Sequence, residues 1–219
     1  MFLINLKLYS ETLGENGKNL AEAARRVANR SGVNIVVAPN HADLRLLSGI
    51  IPLIAQSIDP VEPGAHTGRM TAESAKSAGA IGALINHSEK KLDLEDISRC
   101  ITRARKNNLT TICCADSSET AATIAKLNPD YILIESPELI GTSASISKTK
   151  PDIISRTVKM VKSVNPNVGI ICGAGVATGE DAAIAKKLGA IGVAAASAIA
   201  KSKNPESVIE GIANGLKSV

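Results

Sequence analysis

The 219-residue sequence contains no tryptophan and only three aromatic residues, Phe2, Tyr9 and Tyr131. Proteins that bind nucleic acid commonly stack aromatic side chains on bases and carry a basic stripe. Here 25 basic residues accompany 21 acidic ones along the whole chain, so the sequence predicts no nucleic-acid partner. The scarcity of aromatic residues also means that the core must be built from Ala, Val, Ile and Leu.

Long apolar runs and cysteine clusters are absent as well. No uncharged apolar stretch approaches the roughly 18 residues that a membrane span needs, so we predict no membrane partner. The first ten residues, MFLINLKLYS, do not have the pattern of a secretion signal. The four cysteines, at positions 100, 113, 114 and 172, form no C-x-x-C pair and no cluster with histidine. This spacing argues against a zinc site and a disulfide framework. We therefore expect a cytoplasmic protein with reduced thiols and no metal or other cofactor.

The sequence does contain a regular alternation of short apolar runs and longer amphipathic segments. The predicted strands are Phe2–Lys7, Asn34–Ala38, Leu53–Gln56, Ile81–Asn86, Thr110–Ala115, Tyr131–Glu135, Val168–Gly173 and Ile191–Ala195. Continuous apolar runs are typical of parallel strands buried on both faces. Eight strands alternating with helices favour a closed (β/α)₈ barrel over an open doubly wound sheet. Because no linker or compositional shift divides the chain, we predict one α/β domain over residues 1–219.

The ends of the predicted strands carry the polar residues of interest, because barrel enzymes place catalytic groups there. Asn5 and Lys7 are two residues apart and would face the barrel interior together, where a lysine would meet an anion. Alternatively, the strand ends at Leu6 and Lys7 is solvated. His87 follows the fourth strand and is either a catalytic group or a surface histidine. Glu135 directly follows the apolar residues of the sixth strand and is either a base or a structural ion-pair partner.

Glycine and other small residues follow the last three strands. The segment from Ser136 to Lys148 is rich in small residues, as a mobile lid or an ordinary loop would be. Gly173 and Gly175 would let backbone N–H groups approach a phosphate, and the alanines before Ser197 would leave backbone amides free for an anion. The loops after strands seven and eight form the recurrent phosphate site of such barrels. Together these loops predict an anion-binding site.

Motifs that run from one end of the chain to the other resemble those of the triosephosphate isomerase family in its short archaeal form. They are INLKLY, AQSIDPVEPGAHTG, INHSE, ESPELIGT with SISK, ICGAGV, and the AAS of VAAASA. The most specific of them are NHSE and ESPELIGT. The resemblance implies a barrel enzyme that interconverts dihydroxyacetone phosphate and glyceraldehyde 3-phosphate through an enediolate, in glycolysis and gluconeogenesis.

The resemblance also implies roles for individual residues. Glu135 would be the base that moves a proton between adjacent carbons, and His87 the neutral electrophile that polarises the carbonyl. Lys7 would supply positive charge and Asn5 a hydrogen-bond donor. Glu89 would lie behind the residues that contact the substrate and hold them in place. The residues implied in substrate or phosphate binding are Asn5, Leu6, Lys7, Ile140, Gly141, Gly175, Ala196 and Ser197. Short members of the family imply a homotetramer, and the segment around His66 is the one that we expect to reach a neighbouring copy.

Three positions depart from the family pattern, without removing a group that performs chemistry. Ser136 stands where a proline is frequent, and Ser143 and Ala198 stand where glycine is frequent. Two other functions remain open at this point. One is an aldolase-type lyase in which Lys7 forms a Schiff base, and the other is a phosphometabolite-binding protein without catalysis.

Overall fold

A computed structural model describes residues 1–136 and 145–218 of the chain. Eight parallel strands close into a barrel in which each strand pairs with the next and β8 pairs with β1. The strands are β1 (Phe2–Asn5), β2 (Ile35–Ala38), β3 (Leu53–Ala55), β4 (Ala80–Ile85), β5 (Thr110–Ala115), β6 (Tyr131–Ile134), β7 (Gly169–Cys172) and β8 (Gly192–Ala195). The predicted barrel and all eight predicted strands are confirmed, with ends that differ by at most two residues.

Helices surround the barrel and connect its strands. They are α1 (Glu15–Ser31), α2 (Leu44–Leu47), α3 (Ala72–Ser77), α4 (Leu94–Lys106), α5 (Ser118–Ala125), α6 (Ile146–Thr149), α7 (Pro151–Val164), α8 (Gly179–Lys187), α9 (Ser197–Ala200) and α10 (Pro205–Lys217), with short 3₁₀ turns at Ser10–Thr12 and His41–Asp43. No helix in these two stretches combines the length and the apolar character needed to span a membrane. Between α1 and α10, Arg26 and Arg30 both pair with Glu206.

Local sequence explains where several helices begin and end. Helix α1 ends before Gly32, which adopts the left-handed conformation that glycine tolerates best. Helix α7 begins with Pro151, whose missing N–H is not needed in the first turn. At the start of α8, Thr178 and Asp181 form a complete capping box. The capping box fixes the end of the loop after β7, which belongs to the mouth of the barrel.

Apolar side chains form two layers, one inside the barrel and one between the barrel and its helices. The inner layer consists of Leu3, Val36, Ala38, Ile54, Leu84, Ile112, Cys114, Leu133, Ile171 and Ala194. Side chains two residues apart on a strand face the same side. Asn5 follows Leu3 by two residues, and Glu135 follows Leu133 by two residues, so both continue the inward-facing rows toward the C-terminal mouth.

Strand β1 is shorter than predicted. It ends at Asn5, and Lys7 lies in a turn with φ of +49°. The alternation of a strand therefore does not apply to Lys7, and that part of the prediction was wrong. Lys7 still reaches the mouth of the barrel, because the left-handed turn redirects its side chain.

Candidate active site

Two adjoining cavities open at the C-terminal mouth of the barrel. The first, of about 350 Å³, is lined by the predicted residues Asn5, Lys7, Glu135, Gly175, Ala196 and Ser197. The second, of about 630 Å³, shares Asn5 and Lys7 with the first and contains His87 and Glu89. The fold thus brings together residues from five strand ends, as the sequence predicts. A space of this size suits a small metabolite.

The turn after β1 is held by hydrogen bonds that cross the mouth. Asn5 Oδ1 accepts from the backbone N–H of Lys7 at 3.0 Å and from Gln56 Nε2 at 3.3 Å. Gln56 Nε2 also donates to the Lys7 carbonyl at 3.0 Å. A left-handed lysine costs roughly 1 kcal/mol, so these bonds maintain a strained position. In the sequence, Gln56 is notable only as the last residue of a predicted strand, and its role at the mouth was not predicted.

Lys7 faces Glu89 across the mouth. Its Nζ lies 2.7 Å from Glu89 Oε1, and the Lys7 side chain is only 14 % exposed. The ammonium group therefore lines the cavity while it is paired with a carboxylate. Since this charge is directed toward the space between the two cavities, it is available to an anionic or polarised ligand there.

The turn after β4 presents His87 toward Glu135. Asn86 has φ of +62°, and its side chain bonds both the Cys114 carbonyl and the backbone N–H of Leu92. Asparagine tolerates this left-handed conformation. His87 Nδ1 accepts a hydrogen bond from the Glu89 backbone N–H at 3.2 Å, so the neutral ring carries its proton on Nε2. Nε2 lies 3.4 Å from Glu135 Oε2.

Burial lowers the pKa of His87, and the charge of Lys7 lowers it further, although Glu89 acts in the opposite direction. The imidazole is therefore neutral at neutral pH. A neutral imidazole with its proton on Nε2 is a hydrogen-bond donor toward the cavity. This is the protonation state that the resemblance implied for His87.

Glu135 is a carboxylate in a largely apolar setting. Its side chain is 13 % exposed. Burial raises the pKa of Glu135 to about 7, against the lowering effect of Lys7, and Glu89 adds to the increase. Within residues 1–136 and 145–218, Oε2 has no hydrogen-bond partner. A carboxylate with a pKa near neutrality and an uncommitted oxygen is suited to accept a proton.

Gly173 leaves the space that Glu135 occupies. A Cβ at position 173 would lie 2.9 Å from Glu135 Cγ and 2.9 Å from Leu133 Cδ1. From the sequence, this glycine was predicted to let backbone N–H groups approach a phosphate. In the structure, its absent side chain makes room for the carboxylate, and the left-handed turn that follows is made by Ala174 and Gly175, with φ of +64° and +71°.

The loops after β7 and β8 form the small-residue end of the first cavity. Asp181 Oδ2 accepts from the backbone N–H groups of Ala177 and Thr178, at 3.1 and 2.9 Å, which fixes the first loop. Ala196 immediately precedes α9, and Ser197 begins it. Lys201 lies one turn further along, with its Nζ 4.9 Å from the centre of the Tyr9 ring. Backbone groups and one additional cation therefore surround this end of the cavity.

Some predicted residues lie elsewhere. Leu6 is 1 % exposed and belongs to the outer apolar layer, where its N–H donates to the Ala38 carbonyl at 2.9 Å. It packs behind the wall of the cavity. Ile140, Gly141 and Ser143 lie outside the described residues, as does most of the segment between Ser136 and Lys148. In the described stretches no three His, Cys, Asp or Glu residues gather as a metal site would require.

Comparison with known proteins gives matches along nearly the whole chain. The family model described as triosephosphate isomerase matches residues 1–212. A curated triosephosphate isomerase from Methanothermus fervidus is 44 % identical over 212 residues, which cover 96 % of each chain. The protein of the same name from Methanoculleus marisnigri is 47 % identical over 209 residues, 94 % of each chain. That from Caldivirga maquilingensis is 46 % identical over 218 residues, 99 % of this chain and 97 % of its own.

Proposed function

Because the chain belongs to the triosephosphate isomerase family, we propose that it interconverts dihydroxyacetone phosphate and D-glyceraldehyde 3-phosphate. It is an isomerase, and the general context of this reaction is glycolysis and gluconeogenesis. The observation that carries the proposal is the arrangement of Glu135 and His87 at the mouth of the barrel. A proton acceptor and a neutral hydrogen-bond donor lie 3.4 Å apart beside a cavity that also contains Lys7.

Glu135 is the base in this mechanism. Its carboxylate removes a proton from the carbon next to the substrate carbonyl and returns it to the neighbouring carbon. The elevated pKa of Glu135, about 7, makes both transfers feasible near neutral pH, since the acid and the base forms are close in free energy. No cofactor takes part in this scheme.

His87 and Lys7 stabilise the oxygen that becomes negative when the proton leaves. The Nε2–H of His87 donates to this oxygen, and Lys7 Nζ contributes a positive charge that is already directed into the cavity. Donors that are fixed before the reaction need no rearrangement in the transition state. Asn5 Oδ1 already accepts hydrogen bonds from Lys7 and Gln56, so the Nδ2 group of Asn5 is the one that donates to the substrate. Glu89 holds Lys7 at 2.7 Å.

The phosphate is held at the opposite end of the first cavity. Gly175, Ala196 and Ser197 line this end, and their small side chains leave the backbone accessible to phosphate oxygens. By the resemblance, Ile140 and Gly141 complete the phosphate site. A phosphate fixed there places the three-carbon chain of the substrate toward Glu135.

The test is a coupled assay of glyceraldehyde 3-phosphate conversion, with Glu135→Gln beside the native chain. We expect turnover by the native chain and a loss of about 10³-fold or more in the variant, because the amide cannot accept the proton. Inorganic phosphate should still inhibit or bind the variant. Glu95→Gln, at an exposed position of α4, is the matched control and should retain full activity. Unchanged activity of Glu135→Gln would remove Glu135 from the mechanism, and a native chain without turnover would contradict the proposed reaction.

We also propose that the chain forms a homo-oligomer, a tetramer as the resemblance to short family members implies, and that it acts in the cytoplasm. Residues 62–69 are exposed and form most of a protruding arm, which we define as residues 60–69. Leu8, Leu13 and Leu46 are 73 %, 44 % and 40 % exposed, and Leu8 lines the second cavity. The arm is the segment that we propose to contact a second copy of the chain. Four buried free thiols suit a reducing compartment. Sedimentation velocity showing only monomer at micromolar concentration would contradict the oligomer.

A further inference from the structure

A buried carboxylate, Asp59, lies between the base of the arm and the turn after β4, which carries His87 and which we call the catalytic turn. Asp59 is 1 % exposed. Its N–H donates to the Met70 carbonyl and its Oδ2 accepts from the Met70 N–H, both at 2.7 Å, which closes the base of the arm. Its Oδ1 faces two cations. Arg69 Nη1 approaches from the arm at 3.1 Å, and Lys90 Nζ approaches from the catalytic turn at 2.9 Å.

Asp59 is ionised in this setting. Burial acts to raise the pKa of Asp59, but the bonds from the Met70 N–H, Lys90 and Arg69 outweigh it and leave the pKa below its usual value. A buried carboxylate of this kind depends on its partners, because a charge left unpaired in the interior is costly. Breaking the ion pair between Asp59 and Lys90 would therefore be energetically unfavourable.

Lys90 is also part of the turn that carries His87. Its backbone N–H donates to the His87 carbonyl at 2.7 Å, and its Nζ donates to Ser57 Oγ at 3.1 Å. The side of the turn that faces the cavity is held by Glu89 and Lys7. The side that faces the arm is held by Lys90 and Asp59. The two ion pairs thus attach the turn at two places. Lys90 lines the second cavity together with Glu89, whereas Lys7 is the member of these pairs that also lines the first cavity.

We propose that Lys90 is a positioning residue for the isomerase reaction, and that its ion pair with Asp59 fixes the turn that places His87 Nε2 against Glu135. The inference rests on the proposed function, in which His87 polarises the substrate carbonyl. A displacement of a reacting group by about 1 Å can reduce a rate by roughly a hundredfold. Loss of Lys90 should therefore act on the chemical step, although its side chain ends at Asp59 and Ser57.

Arg69 provides the matched control, because it contacts the same oxygen of Asp59 from the arm rather than from the catalytic turn. Both Lys90→Met and Arg69→Met remove one cation from Asp59, so both should lower the melting temperature by a similar amount. We expect kcat to fall roughly tenfold to hundredfold in Lys90→Met, with KM within about twofold of the native value. Arg69→Met should retain the native kcat. Lys90→Arg should restore most of the loss, since a cation again faces Asp59.

The kinetic comparison is made at concentrations where both variants sediment like the native chain. An unchanged kcat in Lys90→Met, or an equal loss of kcat in both variants, would overturn the proposal. If Lys90→Met does not fold, Lys90→Gln takes its place, because the amide can still donate to Ser57. The nuclear magnetic resonance signals of the His87 ring give a second measurement that needs no turnover. They should move in the Lys90 variant and stay in place in Arg69→Met; unmoved signals in the Lys90 variant would overturn the positioning role even if the native chain catalysed another reaction.

Discussion

Substitution of Gly173 by alanine should reduce catalysis as well as stability, because the added methyl group would displace the base. The added Cβ would lie 2.9 Å from Glu135 Cγ and 3.1 Å from Glu135 Oε1, whereas ordinary contacts begin at 3.4 Å. Relief of this overlap requires the Glu135 side chain to move by about 0.5–1 Å, a shift that can cost up to roughly a hundredfold in rate. That loss corresponds to about 2.7 kcal/mol of activation free energy. The overpacking should lower the free energy of unfolding by about 1–3 kcal/mol.

The assay is kcat for glyceraldehyde 3-phosphate, with thermal unfolding measured on the same samples. Gly211→Ala is the matched control, because a Cβ at that position in α10 meets no atom within 4 Å. This control should retain its activity and gain about 0.5–1 kcal/mol of stability, since alanine is the better helix former. A folded Gly173→Ala with the native kcat would refute the argument that the space beside Gly173 sets the position of the base.

Two further predictions concern titration. Because burial raises the pKa of Glu135 to about 7, kcat/KM should fall about tenfold per unit as the pH drops below 7, and this acidic limb is measured in the free-enzyme pH profile. Ionisation of Glu135 is unfavourable in the folded chain, so any stabilisation by Glu135→Gln should be larger at pH 8 than at pH 5; equal shifts in unfolding free energy would contradict this. Burial raises the pKa of Cys100 to about 12 and that of the other three cysteines as well. An aromatic disulfide reagent should therefore label no thiol in the native chain and four in guanidinium; rapid labelling of the native chain would contradict it.

The barrel and the chemistry-bearing strand ends were predictable because both depend on short-range patterns. Parallel strands buried on two faces produce continuous apolar runs, and eight such runs are visible in the sequence. Glu135 stands out because a carboxylate directly follows such a run. The rule that barrel sites lie at C-terminal strand ends then brings Glu135 and His87 to one face.

Residues that act through long-range pairing were not predictable in this way. Gln56 bridges the turn after β1 because the barrel places β3 near it, 51 residues from Asn5 along the chain. Lys90 meets Asp59 only when the arm closes on itself. The exact end of a strand is equally hard to predict. Lys7 follows Asn5 by two residues and fits the period of a strand, yet it adopts a left-handed turn. The local sequence is compatible with both an extended strand and a turn at this position, and the tertiary hydrogen bonds decide between the two backbone conformations.

The pairing of β1 with β8 has a consequence for synthesis of the chain. Phe2 lies opposite Val193, so the first strand waits for its last neighbour until nearly the whole chain has been made. Until then the sheet exposes two unpaired edges, and such edges readily pair with other chains. A product that stopped before Gly192 would therefore be an aggregation-prone open sheet rather than a smaller barrel. The nascent chain should depend most on chaperones just before β8 emerges from the ribosome.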